Sequence, residues 1–156
     1  MLYPDFMANL TKLPLPELRR RGVKVLALDL DHTLSEGRSR VISQGYLDYL
    51  RRVRAHGFKL VLASNAGSDV SAIAKQIGAI WVPASGLARK PTKRYFERVI
   101  DAAGCRPGEI AMVGDRIIND IVGANRSGLI SIKIDPVGRR PSWLQRWYDQ
   151  RALAQM

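Results

Sequence analysis

Short apolar runs alternate with longer amphipathic stretches along most of the chain. The runs 23–30 (VKVLALDL), 58–63 (FKLVLA), 79–82 (AIWV), 110–114 (IAMVG) and 129–134 (LISIKI) are strand-length and bounded by polar or turn-forming residues. They predict five strands. Between and after them, helical patterns fall near 43–56, 68–77, 92–103, 117–126 and 141–153. In the first, Leu47, Leu50 and Val53 recur at three-residue spacing, Ser43 can cap the start and Gly57 follows the end. In the third, Pro91-Thr92 opens a pattern whose apolar face carries Tyr95, Phe96 and Val99. Regular alternation of strand and helix predicts an α/β fold with a central parallel sheet of about five strands and helices on both faces. The start is polar and marked by Pro4, Pro14 and Pro16, with no internal repeat or low-complexity tract along the chain.

Polar clusters follow four of these runs. Asp29-Leu30-Asp31-His32-Thr33 ends the first, Ser64-Asn65 ends the second, Arg89-Lys90-Pro91 comes soon after the third, and Gly114-Asp115-Arg116-Ile117-Ile118-Asn119-Asp120 ends the fourth. In open α/β sheets, ligands bind beyond the carboxyl ends of parallel strands, so the four clusters should meet in one crevice. Residues two apart on an extended chain point the same way, so Asp29 and Asp31 can both face that crevice. One carboxylate could attack while the other handles a proton. By itself such a pair also fits a turn, where Asp hydrogen-bonds its own backbone.

Taken in order, DLDHT, Ser64, Lys90 and GDRIIND resemble the four motifs of the haloacid dehalogenase-like (HAD) phosphohydrolases. The words DLDHTL, SNA, ARKP and MVGD, with the short length, look most like subfamily IIIA, the YqeG-like group, whose relatives include phosphatidylglycerophosphatases. His32 and Ala66 depart from the Asn more usual at those positions. The resemblance implies a Rossmann-like fold and a phosphomonoester hydrolase. Asp29 would form an aspartyl-phosphate, and Asp31 would protonate the leaving group and then activate water. Ser64 and Lys90 would stabilise the transferring phosphoryl group, with Asn65 beside them on the substrate.

A carboxylate approaching a phosphate dianion needs a counter-charge, and Mg²⁺ with oxygen ligands suits the task. The expected ligands are Asp29, the Asp31 carbonyl and Asp115, with Asp120 joining directly or through water. An ordinary helix-start aspartate is the plainer account of Asp120. Lys90 stands just ahead of a helix amino terminus, itself favourable to phosphate oxygens, with a solvated surface lysine as the plainer alternative. His32 reads as a hydrogen-bonding loop residue, since aspartates already fill the acid and base roles, and His56 as surface.

Asp31 and Ser64 are 33 positions apart and Ser64 and Lys90 are 26 apart. One helix and one strand fill each interval, which leaves no room for a cap domain (C0 type). An open site suits a large or membrane-held phosphate ester, unless a neighbouring subunit closes it.

A chain of 156 residues predicts one domain, residues 1–156, with 139–156 as its basic aromatic terminal helix. The net charge of +11 favours acidic partners: phosphorylated substrates, nucleic acid or an anionic membrane surface. Cys105 is the only cysteine, which excludes an intrachain disulfide and fits a reducing compartment. No apolar stretch reaches membrane-spanning length, so the expected location is cytoplasmic, with peripheral membrane contact open. Trp143, Leu144, Trp147 and Tyr148 form an aromatic band among Arg139, Arg140, Arg146 and Arg151. Such a helix either meets anionic lipid headgroups or packs its aromatic side on the sheet edge. Phosphatidylglycerophosphate is the leading substrate on the resemblance. A soluble nucleotide, sugar phosphate, phosphoprotein or nucleic-acid end is the alternative within the phosphatase class, and an RNA- or protein-binding module without turnover is the alternative outside it.

Overall fold

The computed structural model describes residues 2–140 and 142–154. A six-stranded sheet, parallel throughout, runs in the order β1-β6-β5-β2-β3-β4. The strands are β1 (Phe6–Ala8), β2 (Val25–Leu28), β3 (Lys59–Ser64), β4 (Ala79–Pro83), β5 (Ile110–Gly114) and β6 (Ile130–Ile134). Five coincide with the predicted runs. The sixth, β1, is three residues long and pairs with β6 from Phe6 opposite Ile132 to Ala8 opposite Ile134. A strand this short has no readable period, and the open edge of β6 fixes it more than its own residues do.

The helices are α1 (Leu15–Arg20), α2 (Gln44–Ala55), α3 (Ser71–Ile77), α4 (Lys93–Ala103), α5 (Gly123–Arg126) and α6 (Trp143–Leu153). Ser43 caps α2, its hydroxyl accepting the Tyr46 N–H at 3.3 Å, and Thr92 caps α4 in the same way through Tyr95. Two predicted boundaries move. The stretch 68–77 is helical only from Ser71, because the Asp69 carboxylate takes the Ser71 N–H in a preceding turn. The expected 117–126 helix is instead a π-helical stretch, Ile117–Val122, followed by the single turn α5. Its widened first turn lets the Arg116 carbonyl accept from both Asp120 and Ile121.

Strand alternation divides the core into two layers. Leu26, Leu28, Leu60, Leu62, Ala111 and Val113 face α1, α2 and α3, where Leu18, Leu50, Val53 and Ile77 are buried. The intervening Val25, Ala27, Val61, Ala63, Ile110 and Met112 face α4 and α5, against Tyr95, Phe96, Val99 and Ala124. Gly123 is required here, because a Cβ at that position would lie 2.3 Å from the Phe96 ring. The connections after β2 and β3 therefore cover one face of the sheet, and those after β4 and β5 cover the other. Strands β2 and β5 are neighbours whose chains leave in opposite directions, and that reversal opens a crevice beyond their carboxyl ends. One helix and one strand fill each interval from Asp31 to Ser64 and from Ser64 to Lys90, with no cap domain inserted.

Candidate active site

The crevice holds a cavity of about 110 Å³ lined by Asp29, Asp31, His32, Arg38, Ser64, Asn65, Lys90, Arg116 and Asn119. Asp29 emerges as β2 ends, its N–H still bonded to the Val113 carbonyl of β5 at 3.0 Å. Both of its carboxylate oxygens are oriented. Oδ1 accepts from the Lys90 ammonium at 2.6 Å and Oδ2 from the Thr33 hydroxyl at 3.2 Å. The chain then turns tightly, with Thr33, Leu34 and Ser35 all donating to the Leu30 carbonyl. His32 lies at φ 63, a left-handed conformation uncommon for a residue with a side chain. Bonds to the segment after β6 hold it there: its carbonyl accepts the Val137 N–H at 2.7 Å, and its Nδ1 lies 3.1 Å from the Val137 carbonyl. A carbonyl only accepts, so Nδ1 carries the proton. Asp31 lines the cavity, and its Oδ1 is buried without a hydrogen-bond partner among the described residues.

Lys90 is 4% exposed and lies between two carboxylates, Asp29 and Asp120, the second at 2.7 Å. Burial alone would discharge such an ammonium, but the Asp120 and Asp29 carboxylates more than offset it and hold Lys90 protonated above its usual range. Asn65 fixes its backbone: the side-chain oxygen takes the Lys90 N–H at 2.8 Å and the amide donates to the Lys90 carbonyl at 2.9 Å. Asn65, expected to meet substrate, thus also ties the exit of β3 to Lys90. Ser64 is buried, with its Oγ accepting the Ala66 N–H at 3.1 Å. Beneath it the Tyr95 hydroxyl donates to the Val82 carbonyl at 2.7 Å, and burial pushes that phenol up to about 12.

Asp115 and Asp120, both fully buried, approach from β5. The Asp120 carboxylate folds back over the strand end, Oδ1 on Lys90 and Oδ2 on the Arg116 N–H at 3.1 Å. Gly114 makes room for it: a Cβ there would fall 2.3 Å from the Asp120 carboxyl carbon. Burial raises the pKa of Asp120, against the pull of Lys90, and burial with the nearby Asp29 raises that of Asp115. Arg139, from the segment after β6, donates to Asp115 Oδ2 at 3.2 Å.

Asp29, Asp115 and Asp120 each bring a carboxylate oxygen within 4.8 Å of the others. Three buried carboxylates face one buried ammonium. The excess negative charge and the all-oxygen donor set fit a hard divalent cation such as Mg²⁺. Both oxygens of Asp29 and both of Asp120 also accept from protein donors, so a cation would share these two carboxylates with the Lys90 ammonium.

A model of the haloacid dehalogenase-like hydrolases matches residues 3–128. The chain belongs to this family. It is similar to the protein named probable phosphatase YqeG of Bacillus subtilis, 26% identical over 147 residues that span 94% of this chain and 84% of that one. Phosphatidylglycerophosphate phosphatase 1 of Arabidopsis thaliana is 29% identical over 138 residues, 78% of this chain but 37% of the plant protein. An uncharacterized Listeria monocytogenes protein of known crystal structure shares the fold with a TM-score of 0.61 at 20% identity, covering 85% of this chain and 99% of its own. The family match and its phosphatase-named relatives make the chain a HAD phosphatase.

All seven residues expected to form the site, Asp29, Asp31, Ser64, Asn65, Lys90, Asp115 and Asp120, lie in or directly beside the cavity. Four neighbours were not singled out from sequence. Thr33, Arg116 and Asn119 sit inside the quoted motifs, so their position was the available signal. Arg38 comes from an unpatterned loop and carried none.

Proposed function

We propose that the chain is a Mg²⁺-dependent phosphomonoesterase working through an aspartyl-phosphate, with phosphatidylglycerophosphate as its substrate. The observation that carries the reading is the double orientation of Asp29 by Lys90 and Thr33, with Asp31 beside it in a cavity shared with Ser64. An Asp29 oxygen attacks phosphorus in line with the ester oxygen, and the bond from phosphorus to the ester oxygen breaks. Asp31, as the acid, gives its proton to the departing alcohol. Its carboxylate then takes a proton from the water that attacks the aspartyl-phosphate, releasing inorganic phosphate and restoring Asp29. The unpartnered Asp31 Oδ1 suits this traffic, since no structural bond has to break first. Lys90 and Ser64 hold the equatorial oxygens as charge develops. Asp29, the Asp31 carbonyl and Asp115 would hold Mg²⁺, which when bound supplies the positive charge that lets a carboxylate meet a phosphate dianion. Asp120 keeps Lys90 charged and aimed.

The lipid assignment draws on the plant relative's name, the uncapped site and the basic surface. Phosphate release from phosphatidylglycerophosphate in mixed micelles, with and without Mg²⁺, tests it for the native chain and Asp29→Asn. Mg²⁺-dependent release that the substitution abolishes supports both substrate and nucleophile. Asp29-dependent turnover of an aryl phosphate without lipid turnover discards the lipid and keeps the chemistry.

A further inference from the structure

The exposed apolar side chains are not scattered. Of the eight large ones among the described residues, Val41, Leu87 and Ile118 lie on segments leaving the carboxyl ends of β2, β4 and β5, and Trp143, Leu144 and Trp147 lie on α6, which follows β6. The other two, Leu2 and Ile80, lie before β1 and on the edge strand β4. Val41, Leu87, Ile118 and Trp143 are 68–80% exposed, well beyond what an incidental surface contact would leave. All six therefore lie on segments that set out from the end of the sheet where the catalytic cavity opens, and Ile118 and Leu144 share the wall of one cavity there. Trp143 and Trp147 remain exposed, so these two rings do not bury themselves on the sheet edge; the side chain of Tyr148, the fourth member of the expected band, lies outside the described residues.

Charge follows the same side. Arg38, Arg89, Arg116, Arg139 and Arg140 are exposed on these segments, against Glu36, Asp69 and Asp135. A second cavity, about 380 Å³, lies between the π-helical stretch and the start of α6, with Ile117, Ile118 and Leu144 on its walls. It shares Arg116 and Asn119 with the catalytic cavity, so the two lie side by side.

We infer that this side of the molecule docks on an anionic phospholipid bilayer, seating Val41, Leu87, Ile118, Trp143 and Leu144 at the headgroup boundary and opening the catalytic cavity toward the lipid phosphates. Arginine interleaved with aliphatic and indole side chains complements an anionic surface backed by hydrocarbon. Nucleic acid would satisfy the arginines but gives Val41, Leu87 and Ile118 nothing to bury against, since bases stack on aromatic planes. The inference deepens the lipid reading above, yet it is measured without turnover.

The experiment is co-sedimentation of the full chain with phosphatidylcholine vesicles, with and without about a third phosphatidylglycerol. The native chain should partition onto the anionic vesicles. Combined replacement Val41→Ser, Leu87→Ser and Trp143→Ser should lower that partition about tenfold or more. These positions lie outside the catalytic cavity, so turnover of a soluble aryl phosphate should persist and show that the variant is folded. No partition of the native chain would overturn the docking, even if phosphatidylglycerophosphate in micelles is hydrolysed. Partition with no such hydrolysis would uphold the docking and discard the substrate. Binding that ignores the serine replacements, disappears with salt and is competed by an RNA oligomer would overturn it in favour of nucleic acid.

Discussion

Strands β2 and β5 lie side by side from Val25 opposite Ile110 to Leu28 opposite Val113, and their two ends are built on opposite principles. At the amino ends, Lys24 and Glu109 carry opposite charges and meet at 2.8 Å. Glu109 also accepts the Arg106 N–H at 2.9 Å, and the Lys24 ammonium with the Arg106 contacts holds its carboxyl down to about 2. Every charge there has a complement. At the carboxyl ends, the same strands deliver Asp29 and Asp115, like charges in a buried setting, with Asp120 added; among the described residues Lys90 is the buried cation between Asp29 and Asp120, and Arg139 reaches Asp115 from a partly exposed position. A fold optimised for stability alone would not assemble that cluster. One end of the pair serves cohesion, and the other keeps charge poised for a ligand.

Lys90→Met should give the largest effect. It leaves Asp29 and Asp120 buried without their cation, costing about 3–5 kcal/mol in denaturant unfolding and abolishing phosphate release. Asp115→Asn should separate the two ends most clearly: turnover falls roughly 10²- to 10³-fold, while the metal-free protein is as stable as the native one or slightly more so. In the same melting experiment, Mg²⁺ should raise the native transition and leave that of Asp115→Asn nearly unmoved, and chelator should reverse the native shift. Gly114→Ala forces the Asp120 carboxyl away, so a loss of about 1–3 kcal/mol should accompany reduced turnover. Glu109→Gln should be the mildest, lowering the melting temperature at neutral pH with kinetics unchanged. Because the Glu109 pKa is depressed by folding, its contribution is complete above the unfolded carboxylate range near 4.3 and fades as pH falls toward about 2. The native and Glu109→Gln melting curves should therefore converge at acid pH. A kinetic defect in Glu109→Gln, or a large stability loss in metal-free Asp115→Asn, would break the contrast.

Much of the carboxyl end was legible because chemistry in a parallel sheet is written where apolar runs stop. Asp29, Ser64 and Asp115 each stand at or just past a strand end, and an apolar run bounded by a polar word marks such a place directly. Helices on both faces were expected from the same runs, whereas the division of Leu26 and Leu28 from Val25 and Ala27 between the two layers is a finding of the structure. What escaped depends on partners distant in the chain. β1 exists because β6 has a free edge, and Asn65 reveals its hold on Lys90 only when segments 25 residues apart converge. Arg139 read as part of a basic tail until the turn after β6 brought it to Asp115. The π-helical stretch escaped for a local reason: its extra residue per turn leaves apolar spacing close to that of an α-helix.

The brevity of β2 limits how the chain can vary in length. Its four residues alternate between the two layers, so deleting one between Val25 and Leu28 would send the next side chains to the wrong layer and turn Asp29 away from Lys90. Loops on either side can lengthen at small cost, because closing a longer flexible loop adds little entropy. Insertions and deletions should therefore be tolerated in the exposed turn at Arg21 and Gly22, just ahead of the strand, and rejected within the strand itself.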